Sequence, residues 1–447
     1  MNDNDKIDMD GNSSKEKETR ILMKKLLTVL LAVLVCFTLA ACGNSNDGGD
    51  DTAAVGKVYY LNFKPEADEA WQELAKKYTE ETGVEVKVVT AASGNYDTSL
   101  QNELGKADSE LTMFQLTNDG AVSTYGDYCI DLAGSGVYNE MTTHDFDLTS
   151  DGKTLGIGYC YECFGIIVNK ALLKQAGYEI SDITNFETLK AVAEDIHARA
   201  DELGFDAFTS AGLADSSSWR FSGHLITLPL HYEGITSKTE IKGTYLNEYK
   251  NIWDLYLNNS ATDPVANNEA GDEAEATFGE GKAVFYQNGS WEYSALTTTY
   301  GISADDLQMI PIYCGHGGEE NAALCSGTEA HWAVSNLASE EDQQATLDFM
   351  KWVVTSDAGT TMMAEQFGPI PFKSAKEPEN VFFAQANALL AEGKYNVSWA
   401  FNYTPAVDDF RAGLVSALKQ YAVDGNWDTV KTAFVDGWNT LLAQEAE

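Results

Sequence analysis

Apolar and polar residues alternate with a period of two in some segments and with a helical period in others, which predicts a mixed α/β chain. Residues 58–63 predict a strand, and residues 66–82 predict a helix that Gly83 ends as a left-handed cap. The apolar face of this helix carries Trp71, Leu74, Ala75 and Tyr78. Residues 84–89 predict a second strand, and the order strand, helix, strand favours a parallel sheet.

Residues 158–170, with the sequence GYCYECFGIIVNK, combine β-branched and aromatic side chains and lead directly into a helical pattern. They predict a buried strand that enters a helix. Glu162 lies inside the apolar run, where an ionised carboxylate is costly unless it is hydrogen-bonded or faces a wet cleft. Two interpretations stay open: a Glu paired with a structural Lys, or a carboxylate placed where two lobes meet.

The remaining pattern alternates short strands with amphipathic helices. Strands are predicted at 111–116, 309–313 and 330–335, and helices at 185–203, 245–258, 340–355 and 356–366, with two or three more near the C-terminus, one beginning near Pro405. Asp151 and Gly152 predict a hairpin turn. Residues 117–120 follow the strand at 111–116, and the carboxyl ends of strands are where open α/β sheets bind ligands.

The N-terminal region predicts export. Residues 1–22 are polar and without periodicity, so we interpret them as disordered or as an extension upstream of the true start at Met23. Two Lys residues then precede an apolar run at 26–38 that is too short for a membrane span, which is typical of a secretory signal. The next residues, LAACG at 39–43, resemble the lipobox of bacterial lipoproteins, in which Cys42 would be lipidated, with palmitate among its acyl groups, and become the mature N-terminus.

Two alternatives to lipidation are a cleaved signal without a lipid and an N-terminal anchor helix. The polar residues that follow, within 42–54, predict a flexible tether. About 390 residues remain, which exceeds what one hydrophobic core serves, so we expect two lobes.

The formal net charge is −40, and positions 1–41 hold six acidic and six basic residues, so removal of the signal leaves this charge unchanged. A surface with this charge repels phosphate backbones, which excludes nucleic acid as a partner.

Aromatic residues indicate the class of ligand. Nine Trp and 21 Tyr are more than packing requires, and Trp219, Trp291 and Trp399 lie in loop-like segments with polar neighbours. Sites for sugars stack aromatic rings on the C–H faces and direct carboxylates, amides and Lys at the hydroxyl groups. By contrast, the periodic patterns around them predict core positions for Trp71, Trp253, Trp332 and Trp352.

The cysteines beyond Cys42 predict neither a redox motif nor a metal site. Cys160 and Cys163 have the CxxC spacing, but in an extended strand their side chains point to opposite faces. We expect buried free thiols, although Cys314 and Cys325 flank a Gly-rich loop and an exported protein permits a disulfide between them. His316 and His331 make no recognised metal spacing, so no metal and no cofactor is predicted.

Two segments together resemble a known family. Glu162 followed by an apolar run and Val168-Asn169-Lys170 is similar to the first hinge strand of extracellular solute-binding proteins of the maltose-binding type, which ends in Tyr-Asn-Lys. Residues 278–291, FGEGKAVFYQNGSW, resemble the family signature of Phe, Gly-Lys, an apolar strand and Gly-x-Trp. The resemblance covers the chain from about residue 55 to the C-terminus. It implies an α/β, two-lobe, periplasmic-binding-protein-like fold of class II, with a ligand cleft between lobes joined by hinge strands.

The resemblance also implies ligand contacts. Lys64 takes the place of a ligand-contacting Lys, Glu162 that of the hinge Glu, Trp219 that of a stacking aromatic residue and Trp291 that of the Trp that closes the cleft, while Trp399 is placed only approximately. Gln115 and Asn118 depart from an aromatic and an acidic residue, so hydrogen bonds from this loop are expected in place of stacking. Further candidate binding residues in the same segments are Glu66, Asp119, Arg220, Glu329 and Tyr403.

These observations predict the domains and the function. We expect an N-terminal lobe of residues 55–162 with 315–372 and a C-terminal lobe of residues 163–314 with 373–447. The predicted protein is a monomeric, lipid-anchored receptor on the extracellular face of the cell membrane. It would deliver a carbohydrate, in particular an oligosaccharide, to the permease subunits of an ABC transporter, without catalysis. The alternatives are a receptor of the same fold for a polyamine, a metal chelate or a peptide, and an exported glycoside hydrolase, for which no paired-carboxylate motif is found.

Overall fold

The computed structural model describes residues 56–445 except 92–94, 145, 210–211, 215–216, 264 and 266–270. The predicted signal segment, Cys42 and the tether lie outside the described residues. The strands are β1 (Val58–Asn62), β2 (Val86–Thr90), β3 (Met113–Leu116), β4 (Leu148–Ser150), β5 (Lys153–Gly158), β6 (Glu162–Asn169), β7 (Asp206–Phe208), β8 (Ala283–Gly289), β9 (Leu307–Ile310), β10 (Ala322–Gly327), β11 (His331–Val334) and β12 (Tyr395–Ser398).

The helices alternate with these strands and follow the amphipathic segments of the sequence. They are α1 (Asp68–Thr82), α2 (Tyr96–Leu104), α3 (Asp119–Tyr125), α4 (Lys170–Gln175), α5 (Phe186–Ala198), α6 (Ala200–Leu203), α7 (Thr227–Glu233), α8 (Leu246–Asn258), α9 (Gly271–Gly279), α10 (Glu340–Thr355), α11 (Asp357–Phe367), α12 (Val381–Ala391), α13 (Val407–Asp424) and α14 (Trp427–Glu445). The helix predicted over 185–203 is divided at Arg199 into α5 and α6. Among the described helices, none has the length and apolar character needed to cross a membrane.

The first sheet has the strand order β2-β1-β3-β11-β5-β4. β1 pairs in parallel with β2, so the predicted parallel arrangement around α1 is confirmed. Gly83 has a φ of 78° and ends α1 as predicted. The predicted hairpin is also confirmed: Asp151 and Gly152 both have positive φ angles, 50° and 76°, between the antiparallel strands β4 and β5.

The second sheet has the strand order β12-β10-β6-β8-β7, and β9 also pairs with β6. All eight residues of β6 are buried, as the apolar run of the sequence predicts. β10 and β12 do not correspond to predicted strands. Both are short and lie on the side of β6 opposite β8.

Separate hydrophobic cores form around the two sheets. Trp71 and Trp332 are fully buried in the core of the first sheet, and Trp253 is fully buried in the core of the second sheet. The predicted core positions of these three residues are confirmed. Trp352 is half-buried at the edge of the first core, where its ring lies 5.1 Å from that of Tyr78. Two sheets with their own cores are the two lobes of the molecule.

The chain connects the two sheets three times, and the two short connections run side by side. Residues 159–161 lead from β5 to β6, and residues 328–330 lead from β10 back to β11. Gly158 is paired with His331 at one end of these segments, and Glu162 with Gly327 at the other. The strand predicted at 330–335 corresponds to β11, which the second connection enters. The single strand predicted over 158–170 is wrong at 159–161, because the backbone N–H groups of Tyr159 and Tyr161 donate to Ala330 and Pro369, outside the strand pairings of both sheets.

The chain returns to the first sheet at residues 328–330, later than the predicted lobe bound at residue 315. Residues 315–327 were predicted in the N-terminal lobe, but they contain β10, which pairs with β6 and β12 of the second sheet. The other lobe bounds stay a prediction.

Candidate functional site

A buried ion pair lies where the first connecting segment meets the second sheet. Lys64 follows β1, and the side chain of Asn62 fixes its backbone by donating to the Lys64 carbonyl and accepting from the Lys64 N–H. Glu162 is the first residue of β6. The Lys64 Nζ lies 2.8 Å from the Glu162 Oε2, and the two side chains are only 6% and 4% exposed. Glu162 is therefore paired with a Lys, as the first interpretation expects. That Lys is also a predicted ligand contact, so the pairing does not exclude the second interpretation, a carboxylate placed where two lobes meet.

Two further carboxylates surround this pair. Burial opposes the charge on Lys64, but Glu162, Glu66 and Glu329 outweigh it and raise the Lys64 pKa above its ordinary value. Burial raises the pKa of Glu329 to about 7, with Lys64 opposing and Glu162 adding to the shift. Glu66 is solvent-exposed beside Lys64, and its negative charge adds to the rise in the Lys64 pKa. The structure thus brings four of the predicted residues into one electrostatic cluster.

The three Trp residues predicted at the ligand site, Trp219, Trp291 and Trp399, form an aromatic wall in the second lobe. The ring centroid of Trp291 lies 6.0 Å from that of Trp219 and 6.4 Å from that of Trp399. The Lys64 Nζ lies 5.7 Å from the centroid of the Trp291 ring, which joins the wall to the charged cluster. Trp219 and Trp291 are half-buried, whereas Trp399 is 2% exposed.

Local backbone explains where two of these indoles lie. A Cβ atom added to Gly289 would lie 2.2 Å from the Trp291 ring, so the indole covers a position that only Gly can occupy. In the same way, a Cβ atom on Gly327 would lie 2.8 Å from the ring of Trp399. The Gly-x-Trp spacing of the sequence therefore has a steric reason: the indole folds back over the Gly at the end of β8.

Sequence reasoning missed His224, whose ring extends the wall. His224 stacks on Phe164 with a centroid distance of 3.8 Å, and its ring lies 4.7 Å from Trp219 and 5.7 Å from Trp291. Burial and the positive charges of Arg220 and Arg411 lower the His224 pKa well below its usual value, so the ring is neutral at neutral pH. A signal was present, because His224 comes one helical turn after Arg220.

The loop after β3 contributes differently from what was expected. Gln115 is 1% exposed, and its amide is already used, accepting from the Phe63 N–H and donating to the Tyr159 hydroxyl. The Asn118 Oδ1 accepts from the Ala121 N–H at 3.0 Å and caps α3. Asp119 is exposed at the first position of α3, which lies against residues 400–403 of the second lobe. Asn118 and Asp119 therefore lie at the junction of the lobes, and Gln115 lies beneath it.

Arg220 and Tyr403 lie behind the wall. Arg220 is 1% exposed, and its Nη1 donates to the Tyr286 hydroxyl at 2.7 Å. Its guanidinium lies 5.3 Å from the Trp219 ring. Tyr403 is half-buried, and its hydroxyl donates to the Ile235 carbonyl at 2.8 Å. The Arg220 Nη1 and the Tyr403 hydroxyl therefore bond to protein atoms of the second lobe.

The cysteines are free and buried in the described part of the chain, in agreement with the expected thiols. Cys160 belongs to the core of the first sheet and Cys163 to that of the second, so the two side chains diverge as predicted. Between residues 56 and 445, outside the gaps stated above, no group of three or more His, Cys, Asp or Glu side chains has a metal-binding arrangement.

Solved structures share this fold. RafE in complex with raffinose has 15% sequence identity and a TM-score of 0.68, covering 86% of this chain and 99% of RafE. A chitin oligosaccharide binding protein has 16% identity and a TM-score of 0.65, covering 87% and 98%. The GacH receptor of Streptomyces glaucescens has 17% identity and a TM-score of 0.61, also covering 87% and 98%. The predicted two-lobe, periplasmic-binding-protein-like fold is thereby confirmed.

Sequence comparison gives the family. A search of curated proteins finds no match to this sequence. The family model described as "Bacterial extracellular solute-binding protein" matches residues 73–392, which is more than half of the chain. The chain belongs to the bacterial extracellular solute-binding proteins.

Proposed function

We propose that this chain is the substrate-binding lipoprotein of an ABC importer, which captures a carbohydrate and delivers it to the permease. The observation that carries this proposal is the aromatic wall of Trp219, Trp291 and Trp399 beside the buried pair of Lys64 and Glu162. Indole faces stack on the C–H faces of sugar rings, and charged side chains bind hydroxyl groups at the ring edges. The arrangement combines both kinds of contact within one site.

The related structures support the sugar class. RafE is described with raffinose and GacH with acarbose, and a third relative is described as binding chitin oligosaccharides. The half-buried indoles of Trp219 and Trp291 are inclined by 56° to each other, so one sugar ring cannot stack on both, which favours an oligosaccharide over a monosaccharide.

A ligand panel tests the proposal. Raffinose, chitin oligosaccharides, xylo-oligosaccharides and acarbose would be compared by thermal shift and titration calorimetry. A sugar present at 100 times its dissociation constant stabilises the folded state by about 2.7 kcal/mol. Polyamines, metal chelates and peptides form the second arm, and stabilisation by one of these alone would contradict the sugar proposal. Release of shorter products from an oligosaccharide would instead indicate a glycoside hydrolase.

A pair of Trp variants tests the site itself. Trp291→Ala should weaken binding of the best sugar by about ten- to more than a hundredfold, the equivalent of about 1 to 3 kcal/mol of stacking. Trp352→Ala is the matched control, because Trp352 is also half-buried but packs on the core of the first lobe and donates to Glu81. Equal effects of both variants on affinity, or a loss of stability without loss of affinity in Trp291→Ala, would remove Trp291 from the site.

Anchoring and delivery are further parts of the proposal. The supporting features are the apolar segment at 26–38, the LAACG motif that contains the lipidation site Cys42, and the family description as extracellular. Cys42→Ala should release the processed protein into the medium or leave it unprocessed, since the lipid would be the attachment of the mature chain. A processed Ala variant that still fractionates with membranes would contradict the lipoprotein assignment.

A further inference from the structure

A buried amide lies directly behind the aromatic wall. Asn288 is 1% exposed, and its Oδ1 accepts from the Trp291 Nε1–H and from the Gly289 N–H, both at 2.9 Å. Its Nδ2 donates to the Tyr286 hydroxyl and to the Glu292 Oε1, both at 2.6 Å. An amide has two acceptor sites and two N–H groups, so the hydrogen-bonding capacity of Asn288 is filled.

These partners leave the amide one orientation. A flip would turn the Nδ2 toward the indole N–H and the Gly289 N–H, which are donors, and the Oδ1 toward the Glu292 carboxyl oxygen. Two donors facing each other in a buried site would leave both without an acceptor, and each unmet group is costly. The orientation of Asn288, and with it the acceptor for Trp291, is therefore fixed.

The network continues from Asn288 to the second indole. The Tyr286 hydroxyl that accepts from Asn288 also accepts from the Arg220 Nη1 at 2.7 Å. The Arg220 guanidinium lies 5.3 Å from the ring centroids of both Trp219 and Tyr286. One buried network thus joins the two half-buried indoles of the wall, whose planes are inclined by 56°.

We propose that Asn288 is a positioning residue that holds the Trp291 indole at its ligand-binding angle, and through Tyr286 and Arg220 also orients Trp219. The inference rests on the proposed sugar-binding function, because the indoles act on the sugar and Asn288 acts through them. Since Gly289 offers no side chain below the indole, the Nε1–H bond is the polar contact that sets its rotation. A wall ordered before the ligand arrives avoids an ordering cost on binding.

The first test needs no ligand. Indole N–H resonances of ¹⁵N-Trp protein would be recorded, and Trp291→Phe identifies the Trp291 signal. Asn288→Ala should move that signal toward the position of a solvent-bonded indole and speed its hydrogen exchange. Asn288→Asp combined with Glu292→Gln keeps the acceptor oxygen for the indole and places an amide donor opposite the new carboxylate, so this pair of substitutions should retain the wild-type signal. Asn259→Ala is the matched control, because Asn259 is 5% exposed and its Nδ2 donates to the Leu255 carbonyl in α8.

The second test is a double-mutant cycle on sugar affinity. With the panel sugar that binds best, Asn288→Ala alone should weaken binding about tenfold, the loss that corresponds to one hydrogen bond of typical strength. In the Trp291→Ala background the same change should weaken binding no more than about threefold, because the indole that Asn288 contacts directly is absent and only the indirect contact with Trp219 remains. If the fold-changes in sugar affinity of the two single variants multiply in the double variant, Asn288 acts independently of Trp291, and the inference is overturned.

The two tests separate the inference from the proposed function. If no sugar of the panel binds the wild-type protein, the proposed function fails, while the resonance of Trp291 still decides whether Asn288 holds the indole. An unchanged Trp291 signal in Asn288→Ala overturns the inference whatever the ligand. If Asn288→Ala does not fold, Tyr286→Phe replaces it: removal of the hydroxyl that anchors Asn288 should shift the Trp291 signal in the same direction, and no shift would overturn the inference.

Discussion

Removal of the charge on Lys64 should destabilise the fold through Glu162. In Lys64→Met the side chain keeps its length, but the Glu162 carboxylate, 4% exposed in the wild type, loses the cation 2.8 Å away. Removing one partner of a buried ion pair typically lowers the free energy of unfolding by about 3 to 5 kcal/mol, because an uncompensated charge stays buried. For about 390 folded residues the unfolding entropy is about 0.8 kcal/mol per kelvin, so the melting temperature should fall by about 4 to 6 °C.

Two further variants make this measurement decisive. Lys64→Met with Glu162→Gln should recover most of the loss in differential scanning calorimetry, since neither member of the pair then carries a charge. Lys57→Met is the matched control: Lys57 pairs with Glu110 at the surface, where the side chains are 43% and 62% exposed, and its loss should leave the melting temperature unchanged. A double variant no more stable than Lys64→Met, or a single variant that melts with the wild type, would refute the uncompensated-charge argument.

Three other changes have defined outcomes. Gly289→Ala places a Cβ atom 2.2 Å from the Trp291 ring and should displace the indole, so calorimetry should show sugar affinity reduced about tenfold or more; unchanged affinity would exclude the steric argument. Gly413 lies inside α13 with open space where an alanine methyl group would stand, so Gly413→Ala should raise the unfolding free energy by about 1 kcal/mol in urea titrations, and a loss of stability would contradict this. The folded-state pKa of Glu329, about 7, lies above the ordinary value of 4.5, so the folded state binds a proton that the unfolded chain releases, and stability falls as pH rises between these values. Glu329→Gln should reduce this slope, and an equal slope in both proteins would exclude the carboxyl.

Local sequence signals predicted the elements with strong periodicity. The bounds of α1 and α10 differ by at most two residues from prediction, because an apolar face repeats along each helix and Gly83 or Ser339 marks an end. β6 was predicted because its apolar run is continuous. β10 was missed because AALCSG has small residues and no clear alternation, so only its pairing with β6 makes it a strand.

The sequence predicted which residues lie near the candidate site, but not which of their side chains face it. Trp219 and Trp291 were found because the sequence places them beside polar and Gly residues, and they form the wall. Gln115 was assigned to the ligand, but its amide bonds to Tyr159, 44 residues away, a pairing that depends on the tertiary fold. Arg220 was assigned to the open site because it follows Trp219, whereas its side chain turns inward to Tyr286. Neighbours in sequence did not reveal which way a side chain points once the sheet has formed.

The divergence of two thiols gives each lobe a reporter of its own unfolding. Cys160 and Cys163 are separated by two residues yet lie in different hydrophobic cores, and both are at most 2% exposed. A thiol reagent reaches each of them only when its own core opens, so the rate of labelling measures the opening of that core. Peptide mass spectrometry resolves the two sites without any engineered probe. Equal labelling rates would mean that the two lobes unfold as one cooperative unit. Unequal rates would show which lobe unfolds more readily.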